Sequence, residues 1–138
     1  MLAKIAPKIG KTLFLLLIIS CFNSKLFSQT SVQFLEKANL EKAMQDNIKN
    51  GLPIYHGMNI QYTIAVKQLE GIEKYSPKII SELKNMSGFI DFSVDNKNKT
   101  IIIRCLKENS SESFSIIKEI LDRNRFPAVD YTERVYKN

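Results

Sequence analysis

From Asn59 to Val135 the apolar residues recur at two alternating periods. They come every second residue, then every third or fourth, then every second twice over. A second run at three or four follows, and a last run at two. A strand sends alternate side chains to opposite faces, and a helix brings every third or fourth residue to one side, so this succession confines the chain to a β-α-β-β-α-β order. Ile60, Tyr62, Ile64 and Val66 alternate with Gln61, Thr63, Ala65 and Lys67, the pattern of a strand buried on one face. Ser76-Pro77 is expected to open a helix with an inner stripe of Ile79, Ile80, Leu83 and Met86, closed by Gly88.

Ile90, Phe92 and Val94 predict a second strand. Asn96 to Lys99 predict a polar turn, and Ile101, Ile103 and Cys105 a third strand paired with the second as a hairpin. Asn109 with Glu112 three residues on reads as a capping box for a second helix. Its stripe is Phe114, Ile117, Ile120 and Leu121, with Asn124 as C-cap. Phe126-Pro127 then leads into a last strand with Val129 and Tyr131 inward. These elements predict an α+β, ferredoxin-like sandwich, a four-stranded antiparallel sheet with two helices on one face. The sheet's other face stays open to water or to a partner.

An extra helix is expected before this domain, over Ser31 to Asn50, with Leu40, Ala43, Met44 and Ile48 on its inner side and Asn50-Gly51 as its close. A connector then runs from Leu52 to Met58. Ahead of the helix, Lys4, Lys8 and Lys11 precede an apolar run from Leu13 to Ile19, the marks of a secretory signal. The run is shorter than the roughly 20 residues that cross a bilayer as a helix. Two cleavage patterns are present. Ile18-Ile19-Ser20-Cys21 looks like a bacterial lipobox with Cys21 as the acylated residue, and Phe27-Ser28-Gln29 looks like an ordinary signal-peptidase site. A retained membrane anchor is the alternative to a signal, and Cys21 as one more apolar residue of the signal is the alternative to the lipobox. The chain thus divides into a signal over 1–28 (1–20 if a lipoprotein), a helix and connector over 29–58, and one domain over 59–138. It is expected to be exported to the periplasm or tethered to a membrane of a bacterial envelope.

The formal charge of +6 reflects the N-terminal stretch. Four of the 20 basic residues precede Gln29 and no acidic residue does, leaving 16 basic against 14 acidic. Such a balance lacks the clustered Lys/Arg of a nucleic-acid footprint. Two cysteines, Cys21 and Cys105, leave at most one free thiol after either cleavage, so the domain must rely on apolar burial.

Ile79, Leu83, Met86, Gly88, Phe89, Phe92, Val94 and Asp95 fall in the register of a family pattern, and Asn124 to Ala128 looks like a variant of its closing glycine-aromatic-alanine. On these residues Ile60 to Tyr131 resembles the heavy-metal-associated domain family of copper chaperones and metal-pumping ATPases. The resemblance implies a ferredoxin-like fold. It also implies a metal-binding Cys-x-x-Cys in the turn from Leu69 to Tyr75, where this chain has Ile72 and Tyr75 instead. Soft thiolates select cuprous copper, and neither residue supplies one.

With that motif missing, the expected function is a non-catalytic envelope module that binds a protein or a small ligand. Binding would use the open sheet face or the Leu69–Tyr75 turn, with Ile72 and Tyr75 as contacts. The alternative is copper handling through His56 and Met58, aided by Cys105 or Met86, since imidazole and thioether both ligate copper. Cys105, on the apolar face of its strand, also reads as a small hydrophobe. With one histidine and no G-x-S-x-G, no enzymatic centre is expected. Asp91, Asp95, Asp130 and Glu133 read as carboxylates that keep the outer strands wet.

Overall fold

The computed structural model describes residues 32–137. Its elements are helix α1 (Lys37–Lys49), strand β1 (Met58–Val66), helix α2 (Ile72–Leu83), strand β2 (Phe89–Asp95), strand β3 (Thr100–Leu106), a 3-10 turn (Lys107–Asn109), helix α3 (Ser113–Arg123) and strand β4 (Ala128–Lys137). The strands form one sheet in the order β2-β3-β1-β4, with every neighbouring pair antiparallel. Ile60, Ile64, Ile101, Ile103 and Cys105 are fully buried, together with Ile79 and Leu83 of α2 and Ile117 and Leu121 of α3. All belong to one apolar cluster, so α2 and α3 cover a single face of the sheet. The alternation in β1 and β3 sets that face, because every second residue of each strand is inward.

Two bulges change which residues point in. The β2–β3 register slips between Phe89 and Asp91, and Ile90 is left 42 % exposed. The β1–β4 register slips at Ala65/Val66, so Val66 pairs with Ala128 and Ala65 with Asp130. Val129 is the surplus residue and is 69 % exposed, not inward as its spacing suggested. A bulge sets two residues against one, and the extra side chain leaves the pleat. Tyr131 does face the helices, stacking on Phe114 with ring centroids 3.5 Å apart, but its outer side is open.

The helix limits also differ from the sequence reading. Helix α1 starts at Lys37, six residues later than expected, and Ile48 lies outward. Helix α2 begins at Ile72, so Ser76 and Pro77 lie inside it, and the Ser76 hydroxyl donates to the Ile72 carbonyl at 2.7 Å. Pro77 has no N–H to offer the Glu73 carbonyl. The stretch 107–112 forms no capping box. It holds the 3-10 turn, and α3 starts at Ser113, whose hydroxyl donates to the Asn109 carbonyl.

Helices α1 and α3 close in the same way. In α3 the Asn124 amide is the C-cap, Arg125 takes a left-handed φ of 72°, and the Phe126 amide reaches back to the Leu121 carbonyl at 2.9 Å. In α1, Asn50, Gly51 and Leu52 repeat this, with Leu52 bonded to the Asn47 carbonyl. Both are Schellman closures, which satisfy carbonyls that a helix end leaves free.

Candidate partner-binding face

Because helices α2 and α3 take one face of the sheet, the other is built from the intervening residues. Strand pairing aligns them in rows. One row is Asp91, Arg104, Gln61 and Arg134, each on a different strand. The next is Ser93, Ile102, Thr63 and Thr132, and a third is Asp95, Thr100, Ala65 and Asp130. Small and β-branched side chains dominate the second and third rows, which leaves that end flat. A shallow depression of about 140 Å³ lies there, lined by Thr63, Ala65, Thr100, Asp130, Tyr131 and Thr132.

The first row is a hydrogen-bonded chain. Arg104 donates through Nε to Gln61 Oε1 at 2.9 Å and through Nη1 to Asp91 Oδ2 at 3.2 Å, and Gln61 Nε2 donates to Thr63 Oγ1 at 3.2 Å. A guanidinium shared between a carboxylate and an amide is fixed in direction, because its donors form a rigid fork. The Arg104 guanidinium also lies 6.0 Å from the centroid of the Tyr136 ring, and Asn59 hydrogen-bonds the Tyr136 side chain. Burial raises the Tyr136 phenol above its ordinary value.

This end of the face is closed. Asn59 and Tyr136 are as buried as core residues, although neither α2 nor α3 lies over them. The residues before α1 supply the cover. Phe34 forms a lone antiparallel bridge with Tyr136, its ring is edge-on to the Tyr136 ring at 6.2 Å, and the Arg134 guanidinium sits 3.9 Å from its centroid. At the outer edge of β4, Asp130 Oδ1 accepts the Tyr131 amide at 2.8 Å.

The residues singled out from sequence fall elsewhere. Ile72, expected as a contact, is in the first turn of α2 and buried in the core. Tyr75 is half-buried and packs edge-on against Phe126. His56 is exposed, with Nδ1 3.5 Å from Glu108 Oε1, whereas Met58 two residues on is 1 % exposed. Met86 packs on the core. Cys105 is fully buried, and burial, followed by the Asp91 charge, pushes its thiol up to about 11, so it is the neutral thiol and not the thiolate that a metal requires. Among the described residues no group of three or more His, Cys, Asp and Glu side chains converges. Of the expected copper donors, His56 is exposed, whereas Met58 and Cys105 are buried. Cys21 and the signal stretch lie outside the described residues, and no helix among those described is long and apolar enough to cross a membrane.

Sequence reasoning named the open face without its Phe34–Tyr136–Arg104 cluster. The alternation of Arg134 and Tyr136 around Val135 was the available signal. It also passed over a groove of about 330 Å³ between the ends of α2 and α3, floored by Met86, Ile116 and Ile120 and rimmed by Glu82, Glu119 and Arg123.

Comparison with family models, curated proteins and solved structures finds no match for this chain.

Proposed function

We propose that this chain is an exported, non-catalytic module of a bacterial envelope that binds a protein or small-ligand partner on the open face of its sheet. The observation that carries the reading is the asymmetry of that face. Its Thr63–Thr132 end is flat and uncovered, and it adjoins an arginine already oriented by Asp91 and Gln61. An oriented donor beside a shallow apolar floor provides direction and contact area together, which is what recognition needs.

The ferredoxin-like assignment belongs to the same proposal. It is supported by the β-α-β-β-α-β element order and by the strand order, which interleaves two β-α-β units with each neighbour antiparallel. Export is supported by Lys4, Lys8 and Lys11 ahead of the Leu13–Ile19 run, and a membrane tether by Cys21 in its lipobox-like setting. The relation to the heavy-metal-associated family rests on the Ile79–Asp95 pattern, without that family's metal chemistry.

In vivo crosslinking followed by affinity capture tests the binding reading. Wild type should recover a crosslinked species, and Thr63→Arg with Thr132→Arg, which fills the flat end with two charges, should lose it while keeping the fold. Equal capture by the variant, or no crosslinked species from wild type, rejects the open face as the binding surface.

A further inference from the structure

We propose that residues 33–57 form a hinged cover over one end of the open face, releasing as a unit and exposing Tyr136 and Asn59. The functional meaning of the cover rests on the reading of that face as a binding surface. The opening itself does not.

The first argument is what holds the segment down. At its start, Phe34 meets the Tyr136 ring edge-on and the Arg134 guanidinium at 3.9 Å, and the Leu35 amide donates to the Val135 carbonyl at 2.8 Å. Those contacts span two residues and end where α1 begins. At its far end, Tyr55 and His56 meet the 3-10 turn: Lys107 Nζ lies 4.8 Å from the Tyr55 ring centroid, and His56 faces Glu108. The attachment is thus a clasp at each end.

The second argument is what lies between the clasps. Helix α1 buries Ala43 and half-buries Leu40 and Met44, while Ile48, Leu52 and Ile54 stay exposed. Its C-terminal end is tied inward to its own connector, since Asn47 Nδ2 donates to the Ile54 and His56 carbonyls. Helix and connector therefore hold each other more than they hold the sheet. A segment with little buried apolar surface and its own internal bonds opens as one cooperative unit at a lower free energy than the core.

The third argument is what the segment hides. Asn59 and Tyr136 are polar side chains on the face away from α2 and α3, and they continue the rows that stay open at the other end. Gly57, at φ +72° with nothing near its absent Cβ, supplies the hinge immediately before β1. A partner that reads the whole face binds only the released form, and so shifts the population toward it.

Hydrogen exchange on the full chain, with no partner present, tests the opening. Amides of Lys37–Lys49 should exchange together, at least 10-fold faster than those of β1 and β3. Phe34→Ala should speed them about 10-fold further without changing β3. Hydroxyl-radical footprinting of the same variant should raise Tyr136 oxidation several-fold and leave Tyr62 unchanged. A disulfide between Leu35→Cys and Val135→Cys should slow α1 exchange to the rate of the sheet. Uniform exchange across α1, β1 and β3, or equal acceleration of every element by Phe34→Ala, overturns the hinged cover. Exchange as expected with failure of the capture experiment would retain the hinge and remove only the partner reading.

Discussion

The Arg123 guanidinium bonds the Glu82 carboxylate and so joins the C-terminal ends of α2 and α3. Asn124, the C-cap of α3, donates its side-chain amide to the other oxygen of the same carboxylate at 3.1 Å. These hydrogen bonds, from Arg123 first and Asn124 second, hold the Glu82 carboxyl below its ordinary value. A carboxylate whose folded-state value is depressed contributes stability above the unfolded value, near pH 4.3, and that contribution is lost as pH falls through the folded value. Thermal melts of wild type and Glu82→Gln should therefore differ at neutral pH and converge in acid. A constant gap down to the lowest pH would mean that the pair does not act through charge.

Cys105 gives a dependence of opposite sign. Its folded-state value of about 11 lies above that of an exposed thiol, so its contribution is present at neutral pH and declines as pH rises from about 8.5, where the unfolded thiol ionises. The stability gap between wild type and Cys105→Ala should narrow between those values. A thiol-specific reagent should also label Cys105 at the rate of global unfolding, and rapid labelling of the native protein would contradict its burial.

Two positions with left-handed backbone should respond in opposite directions. Gly88 has φ +81°, and an added Cβ would meet the Asn109 and Leu106 Cβ atoms at 3.1 and 3.2 Å. Gly88→Ala is expected to cost roughly 1–3 kcal/mol from backbone strain and crowding. Arg125 holds φ 72° with a Cβ present, so Arg125→Gly should gain up to about 1 kcal/mol at the α3 closure. Urea titration measures both, and a stabilising Gly88→Ala would refute the turn geometry.

The bulge in β4 makes a packing prediction. Leu83→Ala should lose about 2–5 kcal/mol, because Leu83 is wholly enclosed, whereas Val129→Ser should stay within roughly 0.5 kcal/mol. A large loss at Val129 would return it to the inward register that strict alternation gives.

That register shows where sequence reasoning reached its limit. Period-two alternation placed the inward faces of β1 and β3 residue by residue, because Ile60 to Val66 and Ile101 to Cys105 run without interruption. The same logic misplaced Ile90 and Val129, since a bulge adds a residue without leaving a signal in composition. Helix stripes were legible and helix starts were not. Ser76-Pro77 has the chemistry of a first turn, yet Ile72 buries more apolar surface by joining the helix, and tertiary burial outweighs local preference. The open face followed from the one-sided strands. Its covered end did not, because Phe34 meets Tyr136 across about a hundred residues of chain, a pairing that no local pattern encodes.

The bond from the Tyr131 amide to Asp130 reaches beyond the single molecule. It fills, from within, a donor on the outer strand that would otherwise template a neighbour. Glu133, Arg134 and Lys137 add charge of both signs along the same strand. Where two copies come side by side, this position on β4 would offer no free amide to an incoming strand.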